Sequence, residues 1–273
     1  MSTPPPTSIG ITAQAVLFDM DGTLIDSTPG LYKAWELFSI DYNLGDPAAI
    51  VHATHGQRLF DSLRDLCGID DDSKLLVCPL CTFLTNLLTA AATPQSEIER
   101  FEDQVIRGGP IPLPGAIDLL SKVPYRSSSL TTPIRSFHNP AQLAQSGLDH
   151  RYFGTATRLY ATRALERCHI PLPLLNIVTS DDVSQGKPHP EPYSTGASYC
   201  RVHPKHCLVV EDAVSGLKSG RAAGATTLAV CTSNSRPVLE SSDPPPDFII
   251  SDLTRVQVRK VEQGLEFTLN LLE

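Results

Sequence analysis

Five short apolar runs, "AVLF" from Ala15, "LNIVTS" from Leu175, "CLVVED" from Cys207, "TTLAV" from Thr226 and "FII" from Phe248, stop at polar clusters. Helical patterns lie between them, such as residues 213–223. A strand buried on both faces reads as an unbroken apolar run, and its alternation with helices marks βαβ units. The chain is therefore expected to be α/β, built on a doubly wound parallel sheet. In open sheets of this kind ligands sit beyond the carboxyl ends of the strands, where the acidic residues of "AVLFDMDG" and "CLVVED" fall.

Over residues 29–108 the strand signal gives way to helical patterns: "LYKAWELF", "GQRLFDSLRDL" and "SEIERFEDQVI". Pro29-Gly30 and "GGPIPLPG" bound this segment as hinges. It reads as a small helical cap (29–108) inserted into a core made of residues 13–28 and 109–273. A length of 273 residues suits two domains, since about 150 residues per domain is a fair prior. Residues 1–12, opening "MSTPPPTS" with neither a basic nor an apolar signal region, are expected to be a disordered tail.

Residues 75–96 carry no charge and are long enough to span a bilayer. However, Leu80, Phe83, Leu84, Leu87, Leu88 and Ala91 fall on one helical face and Thr82, Thr85, Asn86 and Thr89 on the other. An amphipathic helix follows, and no membrane insertion. The net charge of -8, without a Lys/Arg cluster, excludes a nucleic-acid partner. Seven widely spaced cysteines, an odd number, form no disulfide framework and point to the cytoplasm. Cys78 and Cys81 read as packing groups, and Cys200, His203, His206 and Cys207 match no common zinc spacing.

The chemistry concentrates in "LFDMDGT". Asp19 closes a strand; Asp21 and Gly22 lie in the turn after it, where glycine permits close backbone approach and can leave N–H groups for an anion. One carboxylate can attack phosphorus while its neighbour moves the protons. Two such charges about 4 Å apart repel by roughly 4 kcal/mol at an effective dielectric of 20, so cations are required. Lys187 in "QGKPHPEPY" supplies one. Glu211 and Asp212, at another strand end, offer the hard oxygens that Mg²⁺ takes.

The stretches "FDMDGTLIDS", "QGKPHPEPY" and "VVEDAVSGLKSGRAAG" resemble, in order, the first, third and fourth motifs of the haloacid-dehalogenase-like superfamily. The helical insertion resembles the cap of its phosphatase and phosphomutase branch. "THGQR" and the C-terminal "DLTRVQVRKVEQGLEFTLN" are similar to the fungal glycerol-phosphate and 2-deoxyglucose-6-phosphate phosphatases. The resemblance implies an Mg²⁺-dependent, monomeric phosphomonoester hydrolase acting on a small-molecule phosphate through an aspartyl-phosphate. It makes Asp19 the nucleophile, Asp21 the acid/base and Lys187 the phosphoryl-neutralising cation. It also gives Asp19, Asp21, Glu211 and Asp212 to the metal, Gly22 and Lys187 to the phosphate, and His55 and Arg58 to the substrate. Asp26 drops out as structural. A phosphomutase, an inactive binding protein and a phosphatase of a hydrophobic phosphate are the alternative readings.

The second motif departs from the family's pattern, an apolar strand ending in Thr or Ser. Counting on from "VPYR" puts Thr131 and Thr132 at the phosphate; counting back from "TRLYATRAL" puts Gly154 there, then Thr155, with Arg158 following. The first count is the one adopted, although "RSSSLTT" supplies a single apolar side chain to a strand that should be solidly apolar.

Overall fold

The structure is a computed structural model, and it describes residues 8–69, 94–123, 149–153, 157–170, 177–262 and 264–271. Its centre is a six-stranded, all-parallel sheet. In chain order the strands are β2 (Ala15–Asp19), β5 (Asp149–Phe153), β6 (Ile177–Val178), β7 (Cys207–Glu211), β8 (Thr226–Val230) and β9 (Phe248–Ile250). The spatial order is β6-β5-β2-β7-β8-β9. After β2 the chain builds outward on one side through β5 and β6, then crosses back to continue from β7, so the topological switch point lies around β2.

Val16 and Phe18 enter one hydrophobic cluster and Ala15 and Leu17 another, so β2 is buried on both faces. All four side chains are fully buried, each of the larger ones stabilising the fold by about 1.5–3 kcal/mol. That is the physical reason the run is unbroken.

A second, antiparallel sheet has the order β1-β11-β10, made of β1 (Ser8–Ala13), β10 (Val256–Val261) and β11 (Gly264–Asn270). Residues 8–12, expected in a disordered tail, therefore form a strand, pairing Ile9 with Leu269 and Ile11 with Phe267. The alternation in "SIGITA" matches a half-buried strand rather than a continuous apolar run.

The helices of the inserted segment are α1 (Thr28–Asp41), α2 (Pro47–Thr54), α3 (Leu59–Cys67) and α4 (Pro94–Gly108). Asp26 accepts the Thr28 N–H at 2.9 Å at the start of α1, the structural role expected for it. Trp35 and Phe38 of α1 pack edge-on against Phe101 of α4, with centroids 4.9 and 5.2 Å apart. Entry to and exit from this segment run side by side, because β3 (Ile25–Asp26) pairs antiparallel with β4 (Ile111–Pro112). The core helices are α5 (Ala116–Lys122), α6 (Arg158–Arg167), α7 (Glu191–Tyr199), α8 (Val214–Ala223) and α9 (Arg236–Glu240). The uncharged stretch at 75–96 and the pair Cys78 and Cys81 fall largely or wholly outside the described residues. Among the described residues no helix is long and apolar enough to cross a membrane.

Candidate active site

β2 and β7 lie side by side in parallel register, so their carboxyl ends deliver Asp19, Glu211 and Asp212 to one place. Ligand oxygens of these three residues lie within 4.8 Å of one another. Lys187 enters from the loop before α7, and its Nζ donates to Asp19 Oδ1 at 2.5 Å and to Glu211 Oε1 at 2.7 Å. Burial alone would lower the Lys187 pKa, but the two carboxylates outweigh it and hold the ammonium well above the ordinary lysine range. Burial drives Asp19 the other way, well above the usual carboxylate range, opposed by Lys187 and reinforced by Glu211 and Asp212.

Glu211 is committed to its own chain. Oε1 accepts Lys187 and the Tyr193 hydroxyl at 2.9 Å, and Oε2 accepts the N–H groups of Asp212 and Ala213 at 3.0 and 2.9 Å. A Cβ at Gly216, in the first turn of α8, would strike the Glu211 carboxylate, so glycine there gives the acid its room. Asp212 holds Thr23 Oγ1 at 3.3 Å and His55 Nε2 at 2.8 Å. The Asp212 bond outweighs burial and pushes the His55 pKa up to about 9.

Asp21 lies beyond the end of β2. Its Oδ1 accepts the Tyr160 hydroxyl at 2.8 Å, and the Ser27 hydroxyl also bonds to the carboxyl. Burial raises Asp21 above its ordinary range against both hydrogen bonds. Gly22, with φ +89°, places its α-carbon where a Cβ would collide with Asp212 and Ser233. Its N–H donates to the Ile25 carbonyl at 2.7 Å, so Gly22 contributes space for Asp212, whereas the expectation from sequence was a phosphate donor.

Asp19, Asp21, His55, Glu211 and Asp212 line one cavity of about 80 Å³, closed on the other side by Leu31, Trp35, Val51, Leu59, Phe101, Val105 and Tyr160. His55 thus lines the cavity and also bonds to Asp212. Arg58, expected at the substrate, instead pairs with Asp61 at 2.9 Å and donates to the Ser184 carbonyl at 3.2 Å, and it is not among the lining residues. Thr131 and Thr132, and the alternative Gly154 and Thr155, lie outside the described residues. The strand beside β2 is β5, which aligns Phe153 with Asp19.

Tyr160 and Glu102 are among the lining residues not picked out from sequence. Glu102 Oε1 and Oε2 accept the Thr157 N–H and hydroxyl at 2.8 and 2.5 Å, and burial raises its pKa to about 7. No local signal marks either contact, since the Tyr160–Asp21 pair spans 139 residues. Among the described residues the only cluster able to hold a metal is Asp19, Glu211 and Asp212; Cys200, His203, His206 and Cys207 form none. Three carboxylates here face one lysine and one histidine, and that deficit of positive charge suits a divalent cation. With Glu211 spent on its own chain, Asp19 and Asp212 are the ligands with capacity left.

Residues 141–230 match the family model described as haloacid dehalogenase-like hydrolase. The chain is 28% identical to hexitol phosphatase A of Escherichia coli, over 91% of its own length and 95% of that protein. It is 27% identical to 2-deoxyglucose-6-phosphate phosphatase 1 of Saccharomyces cerevisiae, over 95% and 96%. The crystal structure of a hydrolase from Pseudomonas syringae superposes with a TM-score of 0.63, covering 88% of this chain and 93% of that one at 21% identity. Over nearly its whole length the chain is thus similar to phosphatases of about 27% identity, and it shares the fold of that hydrolase structure, with residues 141–230 matching the haloacid dehalogenase-like hydrolase model.

Proposed function

We propose that the chain is a phosphatase that hydrolyses a small organic phosphomonoester by way of an aspartyl-phosphate on Asp19. The observation that carries this reading is Lys187 bridging Asp19 and Glu211, with Asp21 facing the same cavity. The ammonium lowers the cost of bringing a phosphate dianion to a carboxylate nucleophile. Asp19 attacks phosphorus while Asp21, whose pKa burial raises, gives a proton to the departing oxygen; Asp21 then takes a proton from the water that frees Asp19. Asp19, Asp212 and the main-chain carbonyl of Asp21 would hold Mg²⁺, with Glu211 behind them. When bound, the metal would supply charge neutralisation at the phosphoryl group. The helices of residues 29–108 would act as a cap that excludes bulk water. We assign the chain to the cytoplasm as a monomer.

Relatives named for hexitol and deoxyglucose phosphates support a sugar or polyol substrate. A more hydrophobic alcohol is the second reading, favoured by the apolar roof of Leu31, Trp35, Val51, Leu59, Phe101 and Val105. Thr54 and Glu102, at the same cavity, spend hydrogen bonds on the Ile50 carbonyl and on Thr157. A panel of sugar, polyol and prenyl phosphates, assayed for inorganic phosphate with and without EDTA, separates the two readings. Chelation and Asp19→Asn should each abolish release; full activity in Asp19→Asn would refute the mechanism.

A further inference from the structure

We propose that Tyr160 is a positioning residue that fixes the Asp21 carboxyl for proton transfer to the leaving oxygen; this rests on the phosphomonoesterase reading above. Tyr160 is buried on the first turn of α6 and donates to Asp21 Oδ1 at 2.8 Å. Both residues line the cavity. An acid that must give a proton in one direction and later take one back cannot rotate freely. With Oδ1 accepting the phenolic hydrogen, the transferable proton is directed to Oδ2. As Asp19 bonds to phosphorus and the ester P–O bond breaks, that proton passes to the leaving oxygen and Asp21 becomes a carboxylate. Water then attacks phosphorus, Asp21 takes its proton back, and the Asp19–phosphorus bond breaks to release phosphate.

The tyrosine is itself anchored. Its N–H donates to the Thr157 hydroxyl oxygen at 3.3 Å at the N-terminus of α6, and Thr157 donates in turn to Glu102 of α4. The hold on Asp21 is thereby tied to the inserted helical segment.

The test compares two esters on the full-length protein with Mg²⁺. One is p-nitrophenyl phosphate, whose leaving group departs as an anion; the other is whichever alkyl monophosphate the wild type hydrolyses fastest, whose alkoxide needs a proton. kcat/KM reports the steps through phosphoryl transfer to Asp19. Tyr160→Phe should lower kcat/KM for the alkyl ester about tenfold or more and leave the aryl ester within about threefold. Glu102→Ala should show the same selectivity with a smaller loss. Thermal unfolding confirms that each variant is folded at the assay temperature. Equal losses on both esters for Tyr160→Phe, or no loss on either, would overturn the role of Tyr160 while leaving the hydrolase reading intact. If the wild type hydrolyses neither ester, that reading fails and the positioning role falls with it.

Discussion

In the proposed mechanism Lys187 does two jobs whose requirements coincide. Its ammonium must be buried to act strongly on a phosphoryl group, and a buried ammonium is tolerated only because Asp19 and Glu211 accept from it at 2.5 and 2.7 Å. Replacing it by Met keeps the volume but leaves two buried carboxylates without their counter-charge. We expect Lys187→Met to cost about 3–5 kcal/mol of stability, measured by urea unfolding at pH 7, and about 10²-fold or more in phosphate release. Unchanged stability would mean that the pair contributes nothing net. At this scale the sequence was informative where one side chain has one partner type: Asp19, Lys187, Glu211 and Asp212 meet as their motifs imply. It was uninformative for Arg58, because whether a loop arginine turns to a substrate or to the Asp61 three residues away depends on a geometry that spacing does not carry.

At the level of elements, the junction of α4 with α6 rests on Glu102, buried against Thr157. Burial raises its pKa from the ordinary glutamate value of about 4.3 to about 7, so the folded state binds the proton more tightly than the unfolded one. Its contribution to stability is full below about pH 4.3, declines as pH rises, and is lost above about pH 7; the total is on the order of 3 kcal/mol. Glu102→Gln keeps an acceptor for the Thr157 N–H without the charge. It should be more stable than the wild type at pH 8 and lack this part of the slope, as followed by thermal unfolding across pH 4–8; parallel curves would contradict it. The strands most legible in the sequence were β2, β7 and β8, buried on both faces, together with the partly buried β9. β5 was not legible, because "DHRYF" lacks the apolar run that its neighbours show. β1, β10 and β11 were hidden for another reason. Their burial alternates, as in Gly264–Asn270, and a search for continuous runs passes over period-two patterns.

Across the whole molecule, the switch point of the parallel sheet collects the strand ends, and the paired β3 and β4 carry the chain out to the inserted helices and back. This architecture puts Asp19 and Asp21 at one strand end, Lys187 beside them, and an apolar roof above. The account stands or falls on a covalent intermediate at Asp19. The most direct measurement uses Asp21→Asn with p-nitrophenyl phosphate and Mg²⁺. That ester needs no acid for the first step, and without Asp21 as base the second should stall. Rapid acid quench followed by peptide mass mapping should find a phosphoryl group on the peptide containing Asp19, and none there when Asp19→Asn is added. Release of p-nitrophenol with no phosphoryl group on Asp19, or with one on another residue, would contradict the account.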